Sequence, residues 1–333
     1  MCLLNKLKIE QIKFKNRIIM KSEKKLSKLF MAFASGQESR EGGSIKRYIG
    51  IAPVFVLDVN PSKEKLEELY GGITLENAPE YLGSTEVGPE GAKKKVNQIR
   101  LDFIVKTDPE KANGIEMTTK IAFFLAQDYR FNGDRSKVQV IDKYGQTAWA
   151  TSEEVKAKSI PQYANGPANI DADYRPAYIG EAEVTDFIKT YLNIPAPRNY
   201  VKGVWVDKPD SEKVASEARL DNLDKLFKGN VEDLRKIISF QPNNKLKVMF
   251  GVRTTDDNKQ YQAVYTQKFL KNNVTDYSRL DKELQERKAA GAFPSTEFSA
   301  TPIREYVVDS TDFSTPGADA VDPFGAPTSP WAH

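Results

Sequence analysis

The stretch from Val96 to Ala150 constrains this chain most, because its apolar residues recur with the period of a strand. Ile99, Leu101, Phe103 and Val105 alternate with Arg100, Asp102 and Lys106, the pattern of a half-buried strand. Met117, Thr119, Ile121 and Phe123 repeat the period, and Phe124 and Leu125 then make the run apolar on both faces. Val138, Val140 and Ile141 lead into Asp142-Lys143-Tyr144-Gly145, a turn signal, and Thr147-Ala148-Trp149-Ala150 returns as the next strand. Four strands in succession predict an antiparallel sheet, either an ordinary one with a charged turn or one that closes on itself as a small barrel.

Around this centre the spacing predicts further elements. Tyr48 to Val59 reads as a strand, with Gly50 and Pro53 marking an edge or a bend. Ser62 to Tyr70 reads as a short helix ended by Gly71-Gly72, and Ala78 to Ala92 as loop. Ser152 to Lys158 and Glu181 to Leu192 read as helices, the second with Val184, Phe187, Ile188 and Tyr191 on one face. Tyr200 to Val206 returns as a strand. Ser211 to Phe240 reads as a helical hairpin, with Gly229 as the C′ glycine and Asn230 as the next cap. A β-hairpin follows over Lys245–Arg253 and Gln260–Phe269, then a charged surface helix over Thr275–Ala290. From Gly291 the periodicity is lost and Pro, Ser, Thr and Ala accumulate, which predicts a disordered tail.

The domain reading is therefore a basic N-terminal segment and linker over 1–44, a barrel core over 45–290 with a helical insertion at 152–240, and an acidic tail over 291–333. Charge sharpens it. Residues 1–47 hold 12 Lys/Arg against 4 acids, and residues 291–333 hold 6 acids against Arg304 alone. A basic head and an acidic tail point to a protein that handles polyanions. The first 19 residues are basic and amphipathic. They read as a translated leader or alternative start, with a membrane-surface helix as the sharper possibility.

One cysteine, Cys2, and one histidine, His333, stand at the two ends of the 333 residues. A disulfide framework, a Cys/His zinc site and Ser-His-Asp or Cys-His catalysis are thereby excluded. No carboxylate cluster has metal-binding spacing; Asp171/Asp173 and Asp256/Asp257 read as turn chemistry. The expectation is a non-enzyme with no cofactor and no metal, located in the cytoplasm and without a membrane span.

Two groups of residues interleave aromatics with cations. Tyr129, Arg130, Phe131, Arg135, Lys137, Tyr144 and Trp149 surround one hairpin, while Tyr200, Lys202, Arg253, Tyr261, Tyr265 and Lys268 lie on later strands beside Trp205. Rings stack on bases and cations neutralise phosphates, so these are the candidate nucleic-acid contacts. Gly88-Pro89-Glu90-Gly91-Ala92-Lys93-Lys94-Lys95 lacks the spacing of a nucleotide-binding P-loop and reads as a basic loop that touches backbone phosphates.

The strand-rich centre, Ile141 to Trp149, the helix from Gly180-Glu181 to Pro195, and the acidic tail with Asp322-Pro323-Phe324 together resemble bacteriophage single-stranded DNA-binding proteins. The likeness is to those of phages of Bacteroidetes, including crAss-like phages, and it spans roughly residues 45–325. The resemblance implies an OB-fold core that binds single strands without sequence preference. It also implies a tail that recruits replication proteins, here through Asp319, Asp322 and Phe324. Two features depart from that pattern: nine residues follow Phe324, and a large segment interrupts the barrel between Ser152 and Phe240. The resulting expectation is an α+β protein with an OB-like antiparallel β-barrel, helical insertions and a disordered C-terminal tail. Its work would be in phage replication or recombination, in the host cytoplasm. The alternative is a virion-associated structural protein whose aromatics are all core.

Overall fold

The computed structural model describes residues 46–89, 91–142, 144–158, 175–195, 198–201, 204–208, 220, 223–256 and 258–307. The fold is α+β, built on one curled antiparallel sheet that forms a half-barrel. Its main path runs β12 (Gln260–Val264), β11 (Lys245–Thr254), β1 (Arg47–Val59), β3 (Lys94–Thr107), β4 (Thr118–Tyr129) and β8 (Tyr178–Ile179). The N-terminal half of β3 pairs with β2 (Leu82–Val87), a strand inside the stretch expected to be loop. Short strands β13 (Leu270–Lys271) and β14 (Thr296–Phe298) pair with β11, and β15 (Arg304–Tyr306) pairs with β1. A separate sheet has the order β6 (Thr147–Ala150), β5 (Val138–Ile141), β7 (Arg175–Pro176); β9 (Arg198–Val201) and β10 (Val204–Asp207) form a hairpin. The helices are α1 (Lys63–Leu69), α2 (Ser152–Lys158), α3 (Glu181–Tyr191), α4 (Leu223–Leu226), α5 (Glu232–Phe240) and α6 (Ser278–Ala289).

The alternation in the sequence decides which residues each face of the sheet buries. Val54, Leu101, Phe103, Ile121, Phe123, Val248 and Phe250 point to one side, where α3 lays down Val184, Phe187, Ile188 and Tyr191 and α5 adds Leu234 and Ile238. Phe103, Phe123, Phe187 and Phe269 meet there as edge-on and tilted rings 4.7–6.0 Å apart. The segment expected as a helical insertion is thus the cover of the main core, and it contributes strands as well as helices. The other face is covered in two places. α1 sets Leu66 and Tyr70 over Ile104, and α6 sets Leu280 and Leu284 over Ile51 and Met249. The last helix, expected on the surface, therefore seals a second core.

The four central strands do not close one barrel. β3 and β4 belong to the main sheet, whereas β5 and β6 leave it after Tyr129 and bury their own cluster of Val138, Val140, Ala150 and Val155 with Phe131. The tail boundary at 291 is also corrected. Residues 296–298 form β14 and residues 304–306 form β15, and Phe298 and Ile303 are core residues. Among the described residues, no helix is long and apolar enough to cross a membrane. Residues 1–19, with their leader and membrane-surface readings, lie outside the described residues, as does the acidic tail beyond Val307.

Candidate nucleic-acid interface

The lysine-rich loop and the Tyr129 loop, far apart in sequence, come together at one end of the main sheet. β2 and β3 form a hairpin in which Val87 stands opposite Lys94, with Lys93, Lys94 and Lys95 exposed at its tip. Gly88 makes the turn at φ +121°, where a Cβ would run into the Ala92 carbonyl. Two contacts fasten this hairpin to the end of β4. Lys94 pairs with Asp128 at 2.9 Å, and Asn97 Nδ2 donates to Gln127 Oε1 at 2.8 Å. Strand alternation then sets Lys95 and Asn97 on one face, beside Gln127.

Tyr129 stands opposite Tyr178 across the β4–β8 pair, just past a register shift. The two rings stack with centroids 5.2 Å apart and planes 16° from parallel, and Phe227 meets Tyr178 edge-on at 5.5 Å. Burial is the main cause that lifts both phenols above their ordinary value, Tyr178 to about 12. Nothing in the sequence marks Tyr178. It follows a Pro- and Asn-rich run without periodicity, and only strand pairing brings it to Tyr129.

A buried ion pair holds this arrangement. Glu181, at the start of α3, accepts a hydrogen bond from Arg175 Nη1 at 3.0 Å and another from the Tyr178 backbone N–H at 2.9 Å. Arg175 Nη2 also pairs with Glu181 and donates to the Leu220 carbonyl at 2.9 Å. Both side chains are almost wholly buried. Removing one partner strands a charge out of water, at a cost of about 3–5 kcal/mol. Arg175→Met is expected to lose that much stability in urea denaturation. A loss below about 1 kcal/mol would show that Glu181 finds another partner and does not anchor Tyr178.

The loop from Phe131 to Lys137 is closed by its own backbone. Asn132 N–H donates to the Lys137 carbonyl at 3.0 Å, and Asn132 Oδ1 accepts from Lys137 N–H at 2.9 Å. Arg135, at φ +57°, lays its guanidinium 4.3 Å over the Phe131 ring, and Phe131 packs on the small core. Phe131 therefore supports the loop, and Arg135 and Lys137 remain at the surface. Arg130 pairs with Glu183 of α3. Gln139 N–H donates to the Arg130 carbonyl, and Gln139 stands opposite Trp149, so Arg130, Gln139 and Trp149 form one row on the face opposite Phe131. Trp149 is 43 % exposed. Tyr144 is half-buried in the turn where Asp142 Oδ1 accepts from the Tyr144 and Gln146 N–H groups.

The second sequence group does not join this site. Arg253 and Tyr261 stand opposite each other on β11 and β12, with β1 and β3 between that pair and β4. Tyr265 is a core residue, 1 % exposed and packed edge-on against Phe293 and Phe298, so it cannot stack a base. Lys268 is ion-paired with Glu283 at 2.5 Å. Of Tyr200 only its place opposite Trp205 is described, and Lys202, Asp319, Asp322 and Phe324 lie outside the described residues. Among the described residues no three His, Cys, Asp or Glu side chains gather to hold a metal. Comparison with protein-family models, curated proteins and solved structures gives no match.

Proposed function

We propose that this chain binds single-stranded DNA, largely without regard to sequence, at the end of the sheet formed by the β2–β3 hairpin, β4 and β8. The observation that carries this reading is the Tyr129–Tyr178 stack, which lies at the same end of the sheet as Lys95, Asn97 and Gln127. A base laid on the outer side of Tyr129 extends a stack already two rings deep. Every base has a π-face, so such a platform tolerates any sequence. Lys93 and Lys95 at the hairpin tip, with Arg135 and Lys137 on the neighbouring loop, supply cations for the backbone phosphates. The curl of the sheet supports reading it as an opened, OB-like barrel, a frame that suits this use. The role that follows is phage replication or recombination, without a cofactor.

Fluorescence anisotropy of a labelled oligo-dT over a salt series tests the proposal. Binding weakens with salt, by a slope of about 0.7 for each phosphate neutralised. Tyr129→Ala with Tyr178→Ala weakens it about 10- to 100-fold, as expected from 1–3 kcal/mol for each stacked base. Absence of binding at low salt, or affinity untouched by the double substitution, overturns the proposal and favours a structural, virion-associated role.

A further inference from the structure

The small sheet β6–β5–β7 buries one face and leaves an indole on the other. On the buried face Val138, Val140 and Ala150 pack with Val155 of α2. Trp149 alternates with Ala150, so it stands on the opposite face, in one row with Gln139 and Arg130. It is 43 % exposed there, and Thr147, its neighbour on that face, is exposed as well. The register fixes how far this ring lies from the Tyr129 platform. Arg130, Gln139 and Trp149 stand on adjacent strand segments about 4.8 Å apart, so the Trp149 backbone is about 10 Å from Arg130, the residue after Tyr129. At the 3.4 Å rise of a stacked strand, that is about three nucleotides.

We infer that Trp149 is a second stacking position for the strand that lies on Tyr129, with Arg135 and Lys137 holding the phosphates between the two rings. The inference rests on the single-strand binding proposed above. Charge placement carries the argument. The loop Phe131–Lys137 starts two residues after Tyr129 and ends at Val138, which stands opposite Ala150, the neighbour of Trp149. Arg135 and Lys137 are exposed, and neither has an ion pair among the described residues, whereas Arg130 is neutralised by Glu183. Two unmatched cations beside an exposed indole suit an anionic chain of bases. A protein partner fits less well. An indole buries at most about 250 Å², against about 800 Å² on each side of a standard interface, and the polar Thr147 adds little apolar area.

An oligo-dT of about 12 nucleotides, within the 4–16 that one OB-type fold covers, tests this when titrated against the full chain at low salt. Binding is expected to quench indole fluorescence. Trp149→Phe removes most of that quench, while its phenyl ring keeps part of the stacking. Trp149→Ala weakens binding about tenfold, within the range for one stacked base. It leaves the circular-dichroism melt unchanged, because the ring it removes is exposed. Lys137→Gln lowers the salt slope by about 0.7. Undiminished affinity in Trp149→Ala, with a quench that Trp149→Phe leaves in place, overturns the second position while the Tyr129 platform stands. An affinity that falls with Trp149→Ala but not with Tyr129→Ala and Tyr178→Ala together overturns the platform instead. Failure to bind at low salt overturns both.

Discussion

Gly180→Ala is expected to abolish the cooperative unfolding transition, because no side chain fits where α3 begins. Gly180 caps α3 at φ +86°, a left-handed conformation that disfavours any residue with a Cβ. The steric clash matters more than the backbone angle. A Cβ at this position would fall inside the Phe124 carbonyl of β4, which is backbone and cannot swing away as a flexible side chain can. Relief would require lifting α3 from the sheet. Val184, Phe187, Ile188 and Tyr191 would leave the main core with it. The control is Gly72→Ala. Gly72 has nearly the same backbone angle, φ +82°, but nothing lies within 4 Å of the added carbon. Only the conformational cost of about 1–2 kcal/mol then applies. Urea denaturation of the two variants separates strain from collision. Equal losses would mean that α3 shifts cheaply on β4, and the docking argument would fail.

Ending the chain at residue 290 is expected to destroy the fold, and ending it at Val307 is expected to leave the melting temperature within a few degrees of the full chain. The chain between these points is a strap across β1 and β11. Ile51 N–H donates to the Thr301 carbonyl at 2.7 Å, and Ile303 N–H donates to the Ile51 carbonyl at 3.0 Å. Gly50 sits at φ +117° beneath the strap, where a Cβ would strike the backbone of Thr301, Pro302 and Ile303. Phe298 packs on Tyr265, and Ile303 closes the main core. Losing Phe298 alone is expected to cost about 3–5 kcal/mol, a large part of a typical folding free energy. Removal of the strap also frees the β11 and β1 edges that β14 and β15 occupy, which invites aggregation. Thermal melts followed by circular dichroism decide the matter. Similar melts for the two truncations would mean that the strap is an ornament.

Individual strands are legible from the chain because alternation is a local signal. Ile99 to Val105 must present one apolar face, and they do. Lys245–Arg253 paired with a following strand is legible for the same reason, as is Gly229 behind α4, where only a glycine takes φ +83° without cost. β2 is hidden because it is an exposed edge strand. Leu82, Gly83, Ser84 and Glu86 bury little, so they carry no alternation to read. The strap is hidden because three-residue strands give too few positions to show a period.

For the candidate site, Tyr129, Lys137 and Trp149 can be picked out because aromatics interleaved with cations stand out in one short stretch. Their companions cannot. Tyr178 and Glu183 reach the site through a register shift and a helix packing, events that join residues about 50 apart in sequence. Tyr265 shows the converse. Its sequence neighbourhood matches a binding strand, yet α6 and β14 close over it and make it core. The order of residues is enough to set the central strands and the polar or apolar character of their faces. It takes the folded chain to settle which strands share a sheet, which aromatics reach solvent, and which cations already have partners. Periodicity is written along a few neighbouring residues, whereas burial and pairing depend on contacts between segments whose spacing in the chain carries no signal.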